Sequence, residues 1–203
     1  MSWLYAFKPH KDRALYSASH ILLAMGVTPN MVTAAGLLMS VIAGALAASG
    51  HLHVGIFFFI VGACLDAVDG SFARTCGLTT GFGRYFDSIC DRLSELVFVA
   101  GAVIGGVSSF AFAVVAGSMV LMATRVYNHR KGLNSNAAMF GRPERLALLI
   151  VGMLSPEPYS TAIILIACLL CLISSGQIMA SGIRLNNRLL SEGSRTNTVT
   201  VKH

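Results

Sequence analysis

The chain has 203 residues, 55% of them hydrophobic, with 15 Lys and Arg, 9 Asp and Glu, and a mean hydropathy of +0.69. A soluble domain carries about 25% charged and about 45–50% apolar residues; here only 12% are charged. This composition excludes a disordered chain, a nucleic-acid module and an ordinary cytosolic enzyme, and it fits one helical membrane domain, with the lipid bilayer as a partner.

Residues 12–25 place Leu15, Ala18, Leu22 and Met25 at helical spacing with polar residues between. That pattern predicts an amphipathic helix at the membrane surface or an extension of the next helix. Gly26 and Pro29 interrupt it. A first span is predicted over 30–49, followed by a turn at Gly50–His53, and a second over 54–74 that carries Asp66, Asp69 and Arg74 in its last turns. A third span, 83–104, holds Asp87, Asp91, Arg92 and Glu95 in its first turns. Further spans read at 108–127, 143–154 and 161–182, the fifth being short and expected to extend before Pro143. The expected fold is therefore all-α, with six transmembrane helices plus an N-terminal amphipathic surface helix. A single membrane domain is expected over 1–190, with 1–28 as its N-terminal segment and 191–203 as a polar, mobile tail.

The first 25 residues hold Lys8, Lys11 and Arg13 and lack a continuous apolar core, so no cleavable signal is expected. Five cysteines are scattered through apolar surroundings, and Cys168 and Cys171 lie in an apolar run with no second pair. Neither a disulfide framework nor a zinc site is expected from them.

Every Lys and Arg falls on one side of the six-span pattern. Lys8, Lys11 and Arg13 precede span one; Arg74, Arg84 and Arg92 flank the second connection. Arg125, Arg130, Lys131, Arg142 and Arg145 surround the fourth, and Arg184, Arg188, Arg195 and Lys202 follow span six. The opposite loops hold none. By the positive-inside rule, both termini and these two connections face the cytoplasm of a multi-pass cell-membrane protein.

Five of the nine acids lie between residues 66 and 95, on the two helix ends that meet at one such connection. Ionisable groups at membrane depth are costly and mark functional sites by default. On a helix, Asp66 and Asp69 lie about 60° apart and Asp87 and Asp91 about 40° apart, so each pair presents two carboxylates on one face. Four carboxylates brought together repel one another unless cations sit between them. Hard divalent ions with oxygen ligands suit the position, and Mg²⁺ also retains waters and phosphate oxygens. Two such ions about 3.5–4 Å apart would clamp a phosphoryl group. Gly70, Ala73 and Gly83 leave room beside the acids, and Arg74 could hold a phosphate. The plainer alternative has the aspartates simply pairing with Arg74, Arg84 and Arg92.

Written out, Asp66-x2-Asp69-Gly70-x2-Ala73-Arg74-x8-Gly83-x3-Asp87-x3-Asp91 resembles, at every fixed position, the motif of the CDP-alcohol phosphotransferase family. The resemblance implies a six-span fold with an N-terminal surface helix, cytoplasmic active sites and a homodimer. It implies that Asp66, Asp69, Asp87 and Asp91 hold two metal ions, Mg²⁺ with Mn²⁺ as the alternative, and that Asp91 doubles as the base for the acceptor hydroxyl. Asn30, Met31, Val32, Thr33, Asp66, Asp69, Gly70, Ala73, Arg74, Thr80 and Gly83 are implied in binding the CDP-lipid. The implied reaction moves a substituted phosphate from CDP to a small alcohol and releases CMP.

The segments Gly26–Thr33, Cys90–Glu95 and Gly141–Arg145 look most like the phosphatidylinositol-phosphate and archaetidylinositol-phosphate synthases of that family. Arg142 and Arg125 are then implied in binding the phosphate of an acceptor such as inositol 1-phosphate. The stretch Thr124–Lys131 departs from the pattern, which leaves glycerol 3-phosphate or serine open as acceptors. His129 reads as a surface residue, and Glu95 as a partner for a neighbouring arginine. A cation transporter would also bury carboxylates, but usually at the midplane within repeats, and no internal repeat is present.

Overall fold

Thr28 and Pro29 open the first helix. Thr28 is extended and its hydroxyl accepts the Met31 N–H at 3.4 Å, while proline in the first turn gives up no intrahelical bond. The computed structural model describes residues 23–131 and 141–200, with side chains as far as 185. Its long elements are α1 (Pro29–Ala48), α2 (Leu52–Thr75), α3 (Gly81–Ile104), α4 (Ala111–Arg130), α5 (Arg142–Leu154) and α6 (Tyr159–Thr200). No strand occurs among the described residues.

Four of these, α1, α2, α4 and the part of α6 over Tyr159–Leu185, are long and apolar enough to cross a membrane. The other two differ from the expected spans for separate reasons. α3 has the length, but it carries Arg84, Asp87, Asp91, Arg92 and Glu95 between its start and its middle turns. α5 has 13 residues, which at 1.5 Å per residue is about 20 Å, short of a hydrocarbon core of about 30 Å. Its expected N-terminal extension stops at Arg142, because Gly141 is extended and its N–H donates to the Glu144 carboxylate at 3.0 Å.

At the other end of the chain, α6 passes the expected stop near 182 and continues through most of the polar segment to Thr200. No proline follows Pro158 to interrupt it. The segment 12–25 lies outside the described residues except for its end, where Leu23 and Met25 are exposed and Gly26 turns the chain at φ +73°.

Small residues let the helices close on one another. A Cβ on Gly62 of α2 would stand 2.9 Å from the Gly36 carbonyl oxygen of α1, and one on Gly44 of α1 2.8 Å from the Val97 carbonyl of α3. Gly101 meets Gly44 more closely still, and Gly105 meets Ala47. Gly101 and Gly105 therefore pack within one subunit, while Ile104 points outward. Close backbone approach of this kind is how helices associate where lipid removes the hydrophobic drive. Phe59 of α2 stacks on Phe98 of α3, with ring centroids 4.2 Å apart, inside a core that also takes Leu149 of α5 and Ile164 of α6. Large apolar side chains such as Phe57, Ile104 and Leu169 point outward, as on a membrane protein. All five cysteines are free.

Candidate metal and phosphate centre

The charged ends of α2, α3 and α5 converge. Oxygens of Asp66, Asp69 and Asp87 lie within 4.8 Å of one another. Asp66 and Asp69 come from the last turns of α2, three residues apart and so on one face; Asp87 comes from the second turn of α3. Thr80 fixes where α3 begins, its hydroxyl accepting the Gly83 N–H at 2.9 Å. That start sets Asp87 and Asp91 one turn apart, facing α2.

Asp91 has a different neighbour. Arg142, the first residue of α5, reaches it with Nη1 at 2.7 Å from Oδ1, and donates from Nη2 to Asp66 Oδ2 at 2.6 Å. Behind this pair sits a second, drier layer: Glu95 and Arg145 are each 1% exposed and ion-paired. Arg92 adds hydrogen bonds to both Glu95 oxygens, at 3.1 and 3.2 Å. Glu95 thus orients arginines, as its place in the sequence suggests. The arginine that bridges Asp66 and Asp91 is Arg142 of α5, 76 residues from Asp66.

Of the residues implied in CDP-lipid binding, Asn30, Thr80 and Gly83 come together where the starts of α1 and α3 adjoin. A Cβ on Gly83 would lie 3.0 Å from Thr80 Oγ1 and 3.3 Å from Asn30 Oδ1. Gly70 lies beside Arg74, with 3.5 Å from its Cβ position to Arg74 Nη1, and Arg74 donates to Ser71 Oγ at 3.2 Å. Ala73 is half-buried one residue before it, and Met31 points outward. Val32 and Thr33 are buried, and the Thr33 hydroxyl donates to Asp69 Oδ2. Arg125 is exposed on α4, whereas Arg142 turns into the carboxylates.

The donor set fits a hard divalent cation. All the ligand atoms are carboxylate oxygens, and Asp69 Oδ1 is buried without a hydrogen-bond partner. A buried acceptor left unpaired is costly in a native structure, and a cation bound between the aspartates would satisfy it.

Two partners escaped the sequence reading. The Thr33 hydroxyl acts on Asp69 rather than on an open surface, and Arg145 neutralises Glu95. An arginine three residues after Arg142 on the same face was the available signal for the second; nothing local marks the first.

Residues 26–186 match the family model for CDP-alcohol phosphatidyltransferase. The archaetidylinositol phosphate synthase of Pyrococcus horikoshii is 30% identical over 155 residues, 74% of this chain and 82% of that one. The phosphatidylinositol phosphate synthase of Mycobacteroides abscessus is 33% identical over 140 residues, and the match spans 64% of each chain. The fold is similar to crystal structures of Mycobacterium tuberculosis phosphatidylinositol phosphate synthase. With CDP-DAG bound, the TM-score is 0.72 at 24% identity, covering 84% of this chain and 94% of that one. With manganese and citrate, it is 0.72 at 23%, covering 83% and 88%. With the motif intact and its aspartates gathered, the chain belongs to the CDP-alcohol phosphatidyltransferase family.

Proposed function

We propose that the protein transfers a substituted phosphate from a CDP-linked lipid to the hydroxyl of inositol 1-phosphate and releases CMP, a step in phospholipid biosynthesis. The observation that carries this is the gathering of Asp66, Asp69 and Asp87 within 4.8 Å, next to Asp91, in a chain of this family whose relatives are named for inositol phosphate products.

Asp66, Asp69, Asp87 and Asp91 would hold two divalent cations, Mg²⁺ or Mn²⁺. When bound, such cations neutralise the pyrophosphate and the departing CMP. The chain's own residues do the rest. Asp91 accepts the proton of the acceptor hydroxyl as its oxygen bonds to the lipid-linked phosphorus and the bond to CMP breaks. Asn30, Met31 and Val32 at the start of α1, with Thr80 and Gly83 at the start of α3, form the CDP side, where helix N-termini favour anions; the Thr33 hydroxyl turns from that side to Asp69. Gly70 and Ala73 keep the face beside the aspartates low, and Arg74 holds a phosphate oxygen. Arg142 and Arg125 take the acceptor phosphate; for Arg142 this requires its fork to turn from the carboxylates toward the anion.

The reading includes six crossings, with α3 and α5 completing the bundle, an N-terminal surface helix, and a homodimer. Active site and termini face the cytoplasm, supported by the fifteen Lys and Arg on one side of the span pattern. The test is an acceptor panel: purified protein, CDP-diacylglycerol and Mg²⁺ with inositol 1-phosphate, glycerol 3-phosphate, serine or inositol, read as CMP release. Inositol 1-phosphate is expected to give the highest rate. A higher rate with glycerol 3-phosphate or serine would replace the acceptor and keep the chemistry.

A further inference from the structure

α1 contributes no acid, yet two of the carboxylates are set against it. Thr33 is 3% exposed, and its hydroxyl donates to Asp69 Oδ2 from 36 residues away. One turn on, a Cβ at Gly36 would stand 3.1 Å from Asp66 Oδ1 and 3.2 Å from the Gly62 carbonyl oxygen. The same face of α1 therefore supplies a donor to one aspartate and clearance to the other.

The hydrogen bond divides the work of the Asp69 carboxylate. Oδ2 is pinned by Thr33, while Oδ1 is buried and has no hydrogen-bond partner. A carboxylate held by one oxygen keeps the other at a fixed place and angle, which is what outer partners of metal ligands do. The Pro29 carbonyl lies 3.2 Å from the Thr33 hydroxyl, and a hydroxyl has one proton to give. Donation to Asp69 therefore excludes the local bond within α1, and valine, which cannot donate, would remove this hold on Oδ2.

We propose that Thr33 is a positioning residue of the cation centre, orienting Asp69 so that its free oxygen faces the ion. This rests on the reading of Asp66, Asp69 and Asp87 as metal ligands. It gives Thr33 a task distinct from contact with the CDP-lipid, for which a side chain this buried is poorly placed.

The test measures Mn²⁺ binding to purified full-length protein in detergent, by the electron paramagnetic resonance signal of free Mn²⁺, for wild type, Thr33→Val, Thr33→Ser and Asp69→Asn. Thr33→Val is expected to weaken Mn²⁺ binding by about 10–100-fold, the usual cost of losing an outer partner, and Thr33→Ser to recover most of it. At saturating metal, KM for the CDP-lipid is expected to stay at its wild-type value in both. Thr33→Ala, scored the same way, takes the place of valine should that variant not fold. Wild-type Mn²⁺ affinity in a folded Thr33→Val or Thr33→Ala protein, with binding lost in Asp69→Asn, overturns the proposal and leaves the metal reading intact. So does a raised KM for the CDP-lipid at saturating metal with unchanged Mn²⁺ affinity. No Mn²⁺ binding by the wild type overturns both.

Discussion

Arg142 stands 2.7 Å from Asp91, Nη1 against Oδ1, joining the start of α5 to the early turns of α3. Its other terminal nitrogen reaches Asp66 on α2, so one guanidinium ties together three helices. Arginine suits this place because its fork serves two carboxylates at once and stays charged when half-buried.

Replacing Arg142 by glutamine keeps a donor and removes the charge. The expected result is a loss of about a hundredfold or more in kcat/KM, because two carboxylates lose a desolvated partner. Arg142→Lys is expected to fall between, since a point charge cannot bridge both. CMP release measured across a range of inositol 1-phosphate concentrations checks this; a KM rise in both variants marks the acceptor role.

Asp91→Asn tests the assignment of the base. A general base contributes about 10²–10⁴-fold, so turnover is expected to drop by that much or more while the CDP-lipid still binds. Binding of radiolabelled CDP-diacylglycerol alongside CMP release separates the two effects. Near-normal CMP release in the presence of acceptor would remove Asp91 from that role.

The Glu95–Arg145 pair is buried on both sides, each side chain 2% exposed. Glu95→Ala leaves buried arginines uncompensated and is expected to cost about 3–5 kcal/mol of stability. An apolar double replacement, Glu95→Leu with Arg145→Met, removes both charges and is expected to recover much of that loss. Thermal unfolding followed by tryptophan or thiol fluorescence in detergent gives the comparison.

Gly101→Ala places a methyl against the Gly44 backbone, where only a shift of α3 away from α1 makes room. A loss of about 1–3 kcal/mol is expected, with activity falling as α3 shifts against α1. Gly176→Ala, at a position open on all sides, is the control and is expected to change neither. The same unfolding measurement reads both.

Much of the site is legible as intervals. Asp66 to Asp69 and Asp87 to Asp91 are one helical turn each, so a helix alone brings each pair to one face. The expected starts at 30 and 83 lie within two residues of those of α1 and α3. What joins the helices to one another is not written locally. Arg142 meets Asp66 across 76 residues, and Thr33 meets Asp69 across 36; both depend on which helices pack and in what register. The motif therefore shows where the acids are and leaves open which cation and hydroxyl face them. Helix ends were read less well where polarity and helix stability diverge: the segment after 191 is polar enough for a tail, yet nothing in it stops α6 before Thr200.

The most direct test of the central claim is metal-dependent CMP release by the purified protein, given CDP-diacylglycerol and inositol 1-phosphate. Stoichiometric CMP and a new inositol phospholipid are expected with Mg²⁺ or Mn²⁺, falling to background with EDTA and in Asp66→Asn, Asp69→Asn and Asp87→Asn. CMP formation that persists in EDTA, or that survives loss of these aspartates, would contradict it.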